Sequence, residues 1–144
     1  MADGPPVTPA SPAQIERARR LLAHEGAAGG ADEAATAAGR VYDKLDAHLA
    51  PLLGAAGVQA LLARSAKLTQ GEFSFLTVAG PDGSKKLREC LRAQDPAVAT
   101  ESAAALFGAF FTLLTTFIGE RLTVQALRRA WPQIEEMAFT ETQT

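Results

Sequence analysis

The sequence predicts an all-α protein in which six or seven helices pack around one long hydrophobic helix, at about residues 97–119. Three observations lead there. Ser102 to Gly119 runs for eighteen residues without a formal charge and holds four of the seven Phe. The segments on either side place apolar residues three and four apart with polar residues between them, the period of an amphipathic helix. Most of these segments open at a capping residue or a Pro and close at Gly or Pro.

The central run has to be assigned to lipid or to protein, because a bilayer span needs about 20 apolar residues and this one is nearly that long. Large residues crowd one side, Leu106, Phe110, Leu113 and Phe117 in one row and Phe107, Phe111, Leu114 and Ile118 in the next. Ala105, Gly108, Thr112, Thr115 and Thr116 form a small, weakly polar opposite side. Small residues let another backbone approach closely, in a core as in a membrane. Neither end carries a Lys/Arg-rich flank, a Trp or a Tyr, the usual marks of a membrane anchor. A buried core helix is therefore expected, and no membrane partner.

Residues 1–10 contain three Pro without apolar periodicity and read as a disordered arm. Ser11-Pro12-Ala13-Gln14 starts the first helix, with Ser as N-cap, Pro at the first position and Gln to close a capping box. Ile15, Ala18 and Leu22 face inward, Arg17, Arg20 and His24 outward, and the helix stops near Gly26. After a flexible connection at 27–31, Asp32 caps a second helix whose buried stripe is Ala34, Ala38, Val41, Leu45 and Leu49. Pro51 ends or kinks it. Leu52 and Leu53 then make a short buried turn.

Val58, Leu61, Leu62, Ser65 and Leu68 define a third helix, wet at Gln59, Arg64 and Lys67. Residues 70–83 carry Phe73, Phe75, Leu76 and Val78 without a clean period, which leaves strand, helical turn and buried loop open. Gly80-Pro81-Asp82-Gly83 is a turn. Ser84 caps a short helix with Leu87, Cys90 and Leu91 inward, and Asp95-Pro96 starts the central helix. Gly119 stops it. Thr123 caps the next helix, Leu122 and Leu127 form a hydrophobic staple, and Val124, Leu127 and Trp131 face the core. Pro132 opens a last short helix with Ile134 and Met137 inward. Residues 11–139 are thus one helical domain, followed by a polar tail at 140–144.

Composition limits the function classes. The 144 residues are 47% hydrophobic with a net charge of −2, long enough for one self-sufficient core and without the global positive field that draws a protein onto nucleic acid. The single Cys90 forms no internal disulfide, and the first residues lack a secretory pattern, so the expected compartment is the cytoplasm. No glycine-rich phosphate loop, zinc spacing or Ser-centred elbow occurs, and no cofactor, metal or catalytic residue is assigned.

The remaining chemistry-bearing residues read more simply as structure. His48 stands on the side of Leu45 but in no motif. Cys90 has Lys86, Arg88 and Arg92 nearby, which lowers a thiol pKa, yet it falls on an apolar stripe. Asp43 and Asp46 lack the Glu-x-x-His partners of helical di-metal sites. Basic residues gather at Arg17, Arg19 and Arg20; at Lys85, Lys86, Arg88 and Arg92; and at Arg121, Arg128 and Arg129, each group interrupted by acids, as on solvated helix faces. The leading expectation is a non-enzymatic module acting through protein–protein association, as a homodimer, because the central helix has more apolar circumference than a short bundle covers. The alternative is a sensor or carrier of a small apolar molecule, held by Phe73, Phe75, Phe107, Phe110, Phe111 and Trp131.

Overall fold

The computed structural model describes residues 11–26, 30–78 and 82–132. They form six helices and no strand: α1 (Pro12–His24), α2 (Ala31–Leu53), α3 (Ala55–Thr69), α4 (Gly83–Arg92), α5 (Pro96–Ile118) and α6 (Glu120–Ala130). The all-α class and the central helix are as the sequence predicts, and α5 packs against every other helix. The expected arm at 1–10, part of the 27–31 connection, Gly80 and Pro81 of the expected turn, the expected last helix beyond Pro132 and the tail at 140–144 lie outside the described residues.

The apolar rows on α5 explain its central place. Leu106, Phe107, Phe110, Phe111 and Leu114 are all fully buried. Its small side is where α1 crosses: a Cβ built on Gly108 would sit 2.8 Å from Ile15 Cγ1 and 3.0 Å from Ile15 Cα. Backbone meets backbone there, and the crossing exists because position 108 has no side chain. Arg19 on α1 donates to Glu101 on α5 at 2.8 Å, and together with Ile15 against Gly108 this contact shows the two helices to be antiparallel. α5 is long and apolar enough to cross a membrane by length and composition, but most of its apolar window is buried by the bundle.

The α2–α4 pair is set from the surface. Arg92 donates to Asp32 at 2.9 Å, and the Arg88 side chain lies across Gly39. Gly54 and Gly119 play equivalent roles, each ending one helix and starting the next with positive φ, 83° and 93°. That backbone region favours Gly, so two sharp corners are encoded by two residues.

Several local expectations are corrected. α2 is capped by Gly30 rather than Asp32, which lies in the first turn, where its charge suits the helix dipole. It also runs through Pro51 to Leu53, and the stop comes at Gly54, so Leu52 lies on the helix with 49% exposure instead of in a buried turn. Leu68 at 40% exposure leaves the α3 stripe. Ser65 and Thr69 take buried positions there, each donating its hydroxyl to the carbonyl four residues back. Asp82, not Ser84, precedes α4. α6 is capped by Gly119, four residues before the expected Thr123, and Thr123 is a buried interior residue whose Oγ1 donates to the Gly119 carbonyl. Leu122 is consequently exposed and forms no buried staple.

Gly108→Ala should lower the melting temperature although Ala is the better helix former by about 1 kcal/mol. Forcing α1 off α5 costs about 1–3 kcal/mol. Thermal unfolding followed by circular dichroism reads the sign; a raised melting temperature would contradict the close crossing.

Candidate functional site

Among the described residues, one buried polar cluster links distant parts of the chain. α1 ends at Glu25, and its carboxylate Oε2 accepts from Trp131 Nε1 at 2.8 Å and from Lys44 Nζ. Arg40 Nη1 donates to the Glu25 backbone carbonyl at 3.2 Å. Lys44 Nζ also lies 5.6 Å from the centre of the Trp131 ring. Three helix ends or faces are thereby clasped: the C-terminus of α1, the middle of α2 and the C-terminus of α6. Burial pushes the Glu25 carboxyl pKa up, but the hydrogen bonds from Lys44 and Trp131 and the charges of Lys44 and His24 outweigh it, so the net shift is downward. A buried carboxylate with two charge-assisted partners is a stable anion.

The sequence did not reveal this cluster, whose members are 19 and 106 residues apart. One signal was present: a single indole on an apolar stripe needs an acceptor when it is buried.

Arg17, expected on the outer side of α1, is a second correction. It is only 5% exposed, donating to Gln14 Oε1 at 3.0 Å and lying 3.6 Å from Glu120. Gln14 therefore spends its side chain on Arg17, while Ser11 Oγ still accepts from the Gln14 amide. The first basic group approaches the start of α6 with an acid between them. Arg19 and Arg20 pair with Glu16, the solvated-face arrangement expected of such groups.

The six aromatics of the ligand reading divide into two sets. Phe107, Phe110, Phe111 and Trp131 are fully buried, with Phe110 and Phe111 edge to face at 5.9 Å. Phe73 and Phe75 are half-buried in the 70–78 segment, edge to face at 6.0 Å. Two surface depressions, of about 340 and 290 Å³, are lined by Glu25, Gly26, Asp32, Glu33, Thr36 and Arg40 and by Ala63, Ala66, Lys67, Gln70, Thr77 and Val78. Neither includes any of the six rings.

The other candidates do not assemble into a reactive constellation. His48 and His24 are exposed. Cys90 is half-buried, its Sγ donates to the Leu87 carbonyl at 3.2 Å, and burial pushes the thiol pKa up, which keeps it protonated and unreactive. Asp43 lies 3.9 Å from Arg88. Among the described residues no group of three His, Cys, Asp or Glu side chains is placed to hold a metal.

What stands out on the surface is apolar. Phe117 on the last turn of α5 is 71% exposed and Leu122, just beyond the Gly119 corner, is 41% exposed. No match to the chain is found among protein-family models, curated proteins or solved structures.

Glu25→Gln should destabilise the protein at neutral pH by about 1.5–3 kcal/mol, the range for a hydrogen bond to a charged group. A lowered folded pKa gives stability that is full above the unfolded value of 4.5 and is lost as pH falls through the lower folded value. The difference between wild type and variant in urea unfolding should therefore shrink below that pH. A difference independent of pH would contradict the charged clasp.

Proposed function

We propose that the protein is a non-enzymatic helical module that self-associates through the α5–α6 corner around Phe117 and Leu122. The observation that carries this reading is the exposure of Phe117 on a helix whose other large Phe side chains are fully buried. Removing a Phe side chain from water contributes about 1.5–3 kcal/mol, and a twofold interface uses each residue twice. The expectation of a broadly uncovered α5 is narrowed to this corner, since the Phe107 and Phe111 row is covered by the chain itself.

A patch of this size lies well below the roughly 800 Å² per partner of a standard stable interface. The expected complex is a weak homodimer, with a dissociation constant on the order of tens of micromolar. Association is preferred to carriage of a small apolar ligand because four of the six proposed lining rings are buried in the core and the other two, Phe73 and Phe75, pack against it.

Light scattering across a concentration series should report a dimer forming at tens of micromolar, on the order of that dissociation constant. Phe117→Ser should weaken it by at least about tenfold, a loss of about 1.4 kcal/mol, and leave the melting temperature within a few degrees. A monomer throughout the series would overturn the reading.

A further inference from the structure

We propose that two copies of this chain associate by exchanging helix α6, which swings out on Gly119 and seats on the other copy, so that the Glu25 of each copy holds the Trp131 of the other. The inference rests on reading the α5–α6 corner as the association surface, and it names the element that is traded there.

The hinge is a single residue. Gly119 both ends α5 and caps α6, with φ 93° and ψ 158°, a backbone region open essentially to Gly alone. A Cβ built on it meets no atom within 4 Å, so packing does not require Gly at this position and only the reversal does. With helical angles at residue 119, α5 and α6 become one helix from Pro96 to Ala130, about 50 Å long at about 1.5 Å per residue. Short hinges of this kind invite exchange of an element between copies. Gly54 makes a similar corner, but opening it would part α2 from α3 in the middle of the bundle. Opening Gly119 detaches α6 alone, from α2, from α5 and from the end of α1.

The seat that α6 leaves is already complementary to it. Thr123, Ala126, Leu127, Ala130 and Trp131 are buried there, Trp131 Nε1 donates to Glu25 at 2.8 Å, and Lys44 Nζ lies over the indole. The α6 of a second copy makes the same contacts, and no new surface has to be matched. Exchange thereby supplies the area that the corner lacks, since the corner alone falls well short of the roughly 800 Å² per partner of a stable interface.

Straightening also accounts for where the exposed apolar residues are. In a continuous helix Ile118 and Leu122 stand one turn apart with Phe117 beside Ile118, all on one side. Phe117 is 71% and Leu122 41% exposed in the closed chain, and no other large apolar side chain of α5 or α6 is exposed. Two such helices crossing about a twofold axis at the hinge cover both residues of both copies. The magnitudes agree. A closed chain holds its own α6 at an effective concentration on the order of millimolar. Exchange at tens of micromolar requires a further preference of about a hundredfold, about 2.7 kcal/mol. Burial of Phe117 in both copies is of that size.

Isotope-filtered NMR on the wild-type protein reads the exchange directly. Labelled and unlabelled chains are unfolded together, refolded and studied at a concentration on the order of millimolar, well above the dissociation constant. Cross-peaks should connect the Trp131 indole of one chain to the Lys44 methylenes of the other. A dimer whose Trp131 contacts all lie within one chain overturns the exchange and leaves association through Phe117 standing; a monomer at that concentration overturns both. Gly119→Ala disfavours the reversal and favours the continuous helix, so it should tighten the dimer at least about tenfold in light scattering. Unchanged or weaker dimerisation in a Gly119→Ala protein whose circular dichroism matches wild type would contradict the exchange.

Discussion

Eighteen consecutive uncharged residues have to be kept from water, and the placement of every other helix follows from how that is done. Helix α5 solves it by touching all five remaining helices. Its large side packs Phe107, Phe110 and Phe111 into the core, and its small side admits α1 at Gly108 until the backbone of Ile15 is in contact. Wide apolar faces on both sides of a helix leave no wet surface over most of its length. The exposed positions of α5 lie towards its two ends, Pro96, Ala97 and Glu101 at the start and Thr116 and Phe117 in the last turn, and Phe117 is the one large apolar side chain among them.

The polar residues inside the bundle serve the same closure. α1 packs on α5, and its end is fixed by the Glu25 carboxylate, which gathers Lys44 from α2 and Trp131 from the end of α6. One anion thus ties together the beginning, the middle and the last described helix. Arg17 repeats the device on a smaller scale by spanning from α1 to Glu120 at the start of α6. In both, a buried charged side chain meets a partner far away in sequence. The two glycine corners complete the packing, since Gly54 and Gly119 let α2–α3 and α5–α6 reverse without an intervening loop.

The helical class, the central helix and most buried stripes were legible because they are written in short-range periodicity. Ala34, Ala38, Val41, Leu45 and Leu49 recur with the helical period, and all five are buried. Glycine stops were legible for the same reason, as at Gly119. What could not be read locally were choices between competing caps and long-range pairings. Thr123 looks like a cap by type, but Gly119 supplies the required backbone conformation earlier and leaves Thr123 to bond back inside the helix. Pro51 looks like a stop, but a Pro in the last turn of a long helix is tolerated when the neighbouring Gly54 ends it two residues after Leu52. Glu25, Lys44 and Arg17 look like surface charges, because burial of a charge depends on a partner that no local window contains. The exposed corner was hidden by the same effect: Phe117 belongs to the same apolar row as Phe110, and only the position of the chain reversal separates the covered ring from the uncovered one.

The central claim is that this chain covers its own hydrophobic helix along the Phe107–Phe111 row. Hydroxyl-radical footprinting of the dilute, monomeric protein tests it most directly, with the side-chain modification of Phe107, Phe110 and Phe111 compared between native and guanidinium-unfolded states. Strong protection of all three rings in the native monomer, lost only on unfolding, is the predicted result. Modification of the three rings in the native monomer at the unfolded rate would contradict it.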